Sequence, residues 1–244
     1  MSSGKAPRIA MVLAAGLGTR LRPITNTMPK PLVPIAGKTL LDRGLDALAA
    51  AGVKKAVVNV HHFPDQVRRH VAPRTVPRVV ISDESEALLG SAGGIVKALP
   101  ELGSDPFYLL NADTFWIDRG GSDLERLALA WDASRMDILM MLADPAHATG
   151  HSKGTDFVID ADGRLARANN APEGFIYAGA AILEPRIFAG AAVVPQSFDL
   201  YFDRAAAAGR LYGMKMDGHW ITVGTPDAIP LAEQAIAEAA RQGS

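Results

Sequence analysis

The chain has 244 residues, a formal net charge of −1 and no cysteine. That length can bury the core of one large domain. The near-neutral balance gives neither a basic groove for nucleic acid nor a cationic face for an anionic membrane, and the lack of thiols excludes disulfides and thiolate chemistry.

The opening residues, MSSGKAPR, are basic, but the apolar run behind them, IAMVLAA, leads straight into a glycine turn. It is too short to span a membrane and reads as a first strand rather than a signal peptide, so a soluble cytoplasmic protein is expected. Strand-like runs then alternate with helical patterns. The runs are RIAMVL, KAVVNV, RVVIS, FYLLNA and DILMMLA; between them lie TLLDRGLDALAAAG, closed by Gly52, then DQVRRHV, GGIVKAL and SDLERLALAWD. Ser122 and Glu125 have capping-box spacing. After about residue 150 the pattern changes to a hairpin around Asp162-Gly163 in DFVIDADGRLARA, a strand FIYAGAAIL and an amphipathic helix PDAIPLAEQAIAEAARQ.

This alternation predicts an α/β fold, a Rossmann-like mixed but mostly parallel sheet with helices on both faces. No repeat or low-complexity linker interrupts it, so one domain is expected over residues 1–244. Its first part, to about residue 150, is the nucleotide-binding candidate; the rest, from about 151 to 244, is a smaller mixed-sheet lobe with the terminal helix.

Two stretches raise the expectation of a ligand above that of an α/β domain without activity. AAGLGTRLRP, residues 14 to 23, is a glycine turn leaving a parallel strand. Such a turn sets its N–H groups outside the carboxyl edge of the sheet, glycine lets the backbone approach a phosphate, and an arginine adds a planar fork. In TMPKPLVPIAGKTLL, prolines at 29, 31 and 34 stiffen the chain and hold Lys30 between two of them. Met140 and Met141 read as core. His61 and His62 are adjacent and point to opposite faces of an extended chain, so they read as a loop feature rather than a metal pair.

From Leu13 to Leu41, LAAGLGTRLRPITNTMPKPLVPIAGKTLL closely resembles the signature of the sugar-phosphate nucleotidyltransferases, G-x-G-T-R-L-x-P-x-T followed by P-K-P-L-x-P. ESEALLGSAGGI, LLNADTFW and GHWITVGTPDAI are similar to that family's base-lining, metal-binding and W-x-D-x-G-T-P segments. The resemblance implies that a nucleoside triphosphate and a sugar 1-phosphate give a nucleotide sugar and pyrophosphate. It places Ala14, Ala15, Gly16, Gly18, Thr19 and Arg20 around the triphosphate, with Arg20 on the leaving pyrophosphate and Lys30 on the α-phosphate. It sets Glu86, Gly90 and Ser91 around the base, Asn111 and Gly179 at the sugar, and Asp113 on Mg²⁺.

Two departures stand out. Ala171 occupies the place of a sugar-phosphate lysine in the family's E-K-P, and Thr222 that of a second metal aspartate. The first departure, the short length and GGIVKALPELGSDPFYLLNAD resemble the branch of cell-wall recycling, which joins UTP to N-acetylmuramate α-1-phosphate. A site that selects the lactyl carboxylate of that sugar needs a cation or a cluster of backbone N–H groups, and the later part offers the cations Lys153, Arg164, Arg167 and Lys215. A mannose- or heptose-1-phosphate guanylyltransferase is the alternative enzyme; a non-catalytic nucleotide sensor is the alternative of another class. A homo-oligomer stays open.

Overall fold

The computed structural model describes residues 6–169 and 171–242. The basic residues 1–5, and Asn170 in the E-K-P-like stretch, lie outside them.

The elements follow in chain order. Strand β1 (Ile9–Leu13) leads through a winding segment to the short strands β2 (Pro34–Ile35) and β3 (Lys38–Thr39) and helix α1 (Leu40–Ala50). Next come β4 (Lys55–Val60), α2 (Pro64–Val71), β5 (Arg78–Asp83), α3 (Gly90–Leu102), β6 (Phe107–Asn111), β7 (Thr114–Ile117), α4 (Asp123–Ala130) and β8 (Ile138–Ala143). The rest is β9 (Ala148–Thr149), β10 (Phe157–Ile159), β11 (Leu165–Arg167), β12 (Ile176–Leu183), α5 (Asp199–Ala207), β13 (Leu211–Lys215), β14 (His219–Thr222) and α6 (Ala228–Gln242).

Local signals set the boundaries. The Thr39 hydroxyl accepts from Asp42 N and starts α1, while Gly52, at φ +83°, lets Val53 N reach back to Leu48 O and ends it. Ser122 caps α4 by accepting from Glu125 N.

One seven-stranded sheet carries the fold, in the order β13-β8-β12-β6-β1-β4-β5. Its pairs are parallel except where β12 runs antiparallel to both β6 and β8. Alternation along each strand divides the core. Ala10, Val12, Tyr108, Leu110, Leu139 and Met141 face α1, α2 and α4; Met11, Phe107, Leu109 and Met140 face α3 and α5. Helices thus cover both faces, and Met140 and Met141 are core residues, fully buried. A smaller sheet, β7-β14-β9, packs under α6 around Leu21, Phe115, Ile221 and Ala232. None of the described helices is long and apolar enough to cross a membrane.

The chain after residue 150 does not build a core of its own. Its strand β12, small-residue rich and buried along most of its length, inserts beside β6 in the middle of the sheet. The predicted hairpin forms as β10 and β11.

Asp123 fixes the second sheet to the first. Its buried carboxylate accepts from Asp217 N at 3.1 Å, Gly218 N at 2.9 Å and Arg126 Nη1 at 2.7 Å, tying the start of α4 to the turn before β14. Asp123→Ala leaves two backbone donors unpaired and is expected to cost about 2–3 kcal/mol. Urea unfolding of the purified variant measures this; an unchanged midpoint removes Asp123 from that role.

Candidate active site

The carboxyl ends of β1, β4 and β6 meet at one edge of the sheet, where ligands bind in open α/β folds. There a relay of buried polar groups joins the loop after β1 and the loop between β5 and α3 through the end of β4. Ala14 N, just past β1, donates to Asn59 Oδ1 at 2.7 Å; Asn59 Nδ2 donates to Glu84 Oε1 at 2.6 Å; Glu84 Oε2 accepts from Leu89 N at 3.0 Å. Asn59 and Glu84 are almost wholly buried. Gly94 of α3 packs on them so closely that a Cβ there would come within 2.5 Å of Glu84 Oε1.

A cavity of about 290 Å³ opens over this relay. Ala14, Ala15 and Gly16 line it from the turn, Lys30 from the proline segment, and Gly90 and Ser91 from the start of α3. Asn111 and Asp113 close it from the end of β6. Lys30 Nζ lies 2.7 Å from Asp113 Oδ2, across 83 positions of sequence. The lysine side chain is 11% exposed and the aspartate 36%, so the pair is shielded on the lysine side and reachable on the acid side. Pro29 is extended, and Lys30 begins a single 3-10 turn. Gly18 is left-handed at φ +63°, and a Cβ on it would meet Thr25 at 2.9 Å and Lys30 Cβ at 3.0 Å. The glycine is therefore what lets the turn pack on the lysine.

Other expected residues stand apart from the cavity. Gly18, Thr19 and Arg20 do not line it. Arg20 is exposed, and its guanidinium lies beside Gly224, where a Cβ would be 3.2 Å from Nη1. Gly179, at φ +78°, sits at a register shift in β12 and packs on Asn111 and Thr114, where any Cβ would collide with the Thr114 hydroxyl. Glu86 requires a correction: it is exposed on the turn after β5 and lines no part of the cavity, whereas Glu84, two residues earlier, turns inward. The chain leaves the strand at Asp83 and turns, with Ala87 N donating to Glu84 O, so strand alternation no longer relates the two acids; Glu84 goes inward because its carboxylate accepts from Asn59 and Leu89.

A smaller cavity of about 130 Å³ adjoins the first, sharing Leu13, Ser91 and Asn111. Tyr177, Ser197 and Asp199 lie on its far side. The Tyr177 hydroxyl is shielded and has no hydrogen-bond partner, and burial pushes it well above the ordinary phenol range. Sequence reading missed Asn59, Glu84 and Tyr177; the only signal was a polar residue near the end of each apolar run. A larger cavity of about 490 Å³, between α6 and the β7-β14 strands, lies away from the carboxyl ends of the parallel strands.

His61 and His62 are loop residues: their rings bond the carbonyls of Glu84 and Thr25. Thr222 pairs with Thr114 across β14 and β7, and the next residue, Val223, donates to Asp113 O. Asp156 accepts from Tyr177 N. Of the four candidate cations in the later part, Arg164 pairs with Asp162, Arg167 pairs with Asp199 and Asp203, and Lys215 lies 4.4 Å over the Phe175 ring. Lys153 forms no ion pair among the described residues. It lies in the loop after Gly150, which packs against the Thr222 carbonyl.

A glycine turn at a parallel-sheet edge, a fixed lysine and a facing aspartate, on a sheet with one central antiparallel strand, define a nucleotidyltransferase of the nucleotide-diphospho-sugar transferase fold. The chain belongs to the family of the MobA-like NTP transferase domain, whose profile matches residues 10–152. It is 45% identical over 241 residues to the N-acetylmuramate alpha-1-phosphate uridylyltransferase of Caulobacter vibrioides, covering 96% of this chain and 99% of that one. A probable mannose-1-phosphate guanylyltransferase of Arabidopsis thaliana is more distant, at 29%, with the match covering 62% of its length. In fold the chain is similar to the inositol-1-phosphate CTP transferase of T. maritima, at a TM-score of 0.76 and 18% identity over 92% of each chain.

Asn59→Ala removes the acceptor of Ala14 and the donor to Glu84 together. It is expected to destabilise the fold by about 2–4 kcal/mol and to raise the nucleotide KM at least fivefold, because the turn loses its anchor. Denaturant titration and initial rates check both; a variant with wild-type KM would show that the turn is held by other contacts.

Proposed function

We propose that this chain transfers a uridylyl group from UTP to N-acetylmuramate α-1-phosphate, releasing pyrophosphate. The carrying observation is the Lys30–Asp113 pair at the glycine turn, in a chain so similar to the Caulobacter enzyme.

The sugar phosphate arrives already ionised, so no base is required. Its oxygen bonds to the α-phosphorus as the bond to the bridging β-phosphate oxygen breaks in line, and pyrophosphate leaves with that electron pair. Positioning and charge neutralisation carry the rate. The N–H groups of Ala15 and Gly16 and the cation of Lys30 bind the triphosphate. Asp113 holds Lys30 ready until the nucleotide supplies a new counter-charge. Arg20, beside Gly224, guards the leaving side. Gly90 and Ser91 border the base, and Asn111 with the Gly179 backbone borders the sugar.

The donor set fits Mg²⁺ carried in with the nucleotide. Asp113 offers one reachable carboxylate, and no group of three or more acids or histidines is gathered for a metal among the described residues. Mg²⁺ takes one or two carboxylates and completes its octahedron with phosphate oxygens and water. Bound there, it would offset the charge of the triphosphate. Thr222 then stands near the site as a hydroxyl on a paired strand and not as a ligand. Lys153 is the cation assigned to the lactyl carboxylate, since Arg164 and Arg167 are paired with carboxylates and Lys215 rests against the Phe175 ring.

Arg20→Ala and Lys30→Ala are each expected to lower turnover about a hundredfold or more with the fold intact. Asp113→Asn should abolish most activity and Thr222→Ala should be mild. Near-normal turnover in Lys30→Ala or Asp113→Asn, or full activity in EDTA, would contradict this assignment.

With UTP, N-acetylmuramate 1-phosphate is expected to be preferred clearly over N-acetylglucosamine 1-phosphate. Lys153→Ala should narrow that preference by raising KM for the first substrate alone. Equal use of both sugars by the wild type, or activity only with GTP and mannose 1-phosphate, would overturn the substrate.

A further inference from the structure

Away from the glycine turn, a cavity of about 190 Å³ opens between α1 and β7. Lys38, Arg43, Phe115 and Trp116 line it, together with the small residues Gly44 and Ala47. The Arg43 guanidinium lies over the Phe115 ring, 4.6 Å from its centroid, and Nη2 donates to the Ile35 carbonyl at 2.6 Å. Its Nε is shielded and has no hydrogen-bond partner among the described residues. Among the described residues no carboxylate pairs with Arg43.

The charges nearby do not compensate it. Lys38 and Arg74 share Asp46, and Arg74 also takes Asp42, which His70 contacts. Two carboxylates thus stand against three permanent cations, and the cation left over is Arg43. Burial lowers its pKa below the ordinary guanidinium value. Trp116 already donates its indole N–H to Asp118 Oδ1 at 3.0 Å, so its remaining surface is apolar carbon.

A guanidinium stacked on an aromatic ring, without a counter-ion and at a cavity wall, is a receptor for an anion. We propose that this cavity is a second ligand site, separate from the nucleotide turn, for a small phosphate-bearing molecule with a flat face. The phosphate meets Arg43 and Lys38, and the flat face meets Trp116. A nucleoside monophosphate has that chemistry. Strand β7 starts one residue after Asp113, so a ligand that fixes Phe115 and Trp116 also restrains the chain that carries the aspartate. The claim does not rest on which sugar phosphate the chain uses.

Calorimetric titration of the full chain with UMP tests it. Arg43→Leu removes the cation while keeping an apolar side chain over Phe115. Lys38→Ala leaves the Arg43 stack in place and serves where Arg43→Leu fails to fold. Arg43→Leu is expected to weaken one class of UMP sites about tenfold or more and Lys38→Ala the same class about threefold to tenfold. Lys30→Ala spares that class, and turnover of Arg43→Leu without added UMP stays within about twofold of wild type. UMP binding in both Arg43→Leu and Lys38→Ala that matches wild type overturns the proposal. Inorganic phosphate binding to the Arg43-dependent class as tightly as UMP overturns the flat-face part. A chain without transferase activity would still show Arg43-dependent binding, so the two readings fail separately.

Discussion

Buried between the ends of β1, β4 and β5, Asn59 accepts from Ala14 and donates to Glu84, which in turn accepts from Leu89. Each strand end in a parallel sheet leaves polar groups that the ladder no longer satisfies, and in a dry edge these must find partners. One asparagine at the end of β4 and one carboxylate do this for two loops at once. The relay leaves the turn at Gly16 and the start of α3 facing each other across a cavity. Gly94 is small because the relay occupies the volume that a side chain would need.

The second constraint is the company that Lys30 keeps. A lysine between prolines has few backbone states, and Gly18 packs directly on its Cβ. Its charge meets Asp113 at the end of β6, the strand hydrogen-bonded to β1. The pair gives both ions a partner before a triphosphate arrives and presents the acid to solvent. Charge is thereby stored in position, so that little reorganisation is left for the reaction itself.

The later part of the chain contributes more than a substrate lobe. Its strand β12 completes the central sheet, and the bend at Gly179 brings backbone against Asn111. The carbonyl at Ala178 accepts both from Thr114 Oγ1 and from Trp220 Nε1, so this strand also anchors the smaller sheet that carries Thr222. Residues from both parts of the chain therefore pack together on both faces of the central sheet.

Much of this was legible in the residues. Runs such as RIAMVL, KAVVNV and FYLLNA are buried on both faces, and only strands in the middle of an α/β sheet have that composition. Gly52 and the Asp162-Gly163 turn act through their own backbone and Ser122 through a hydroxyl that reaches Glu125 N three residues on, so their effect is local and readable. The glycine turn and Pro-Lys-Pro were legible for the same reason. What only the tertiary structure decided was which residues meet. Glu84 and Glu86 sit two apart in one polar stretch, and nothing local says which would find Asn59. The short segments β7, β13, β14 and α5 carry little periodicity and form where the core receives them. Lys153, Arg164, Arg167 and Lys215 look alike as letters; Arg164 pairs with Asp162 two residues away, while Arg167 meets carboxylates and Lys215 an aromatic ring far along the chain. Arg43 reads as an ordinary helix-surface arginine until Phe115, brought beside it by packing 72 positions later, takes the face where water would have been. Local conformation is encoded locally, but charge pairing and burial depend on distant neighbours, and those exist only once the sheet has closed.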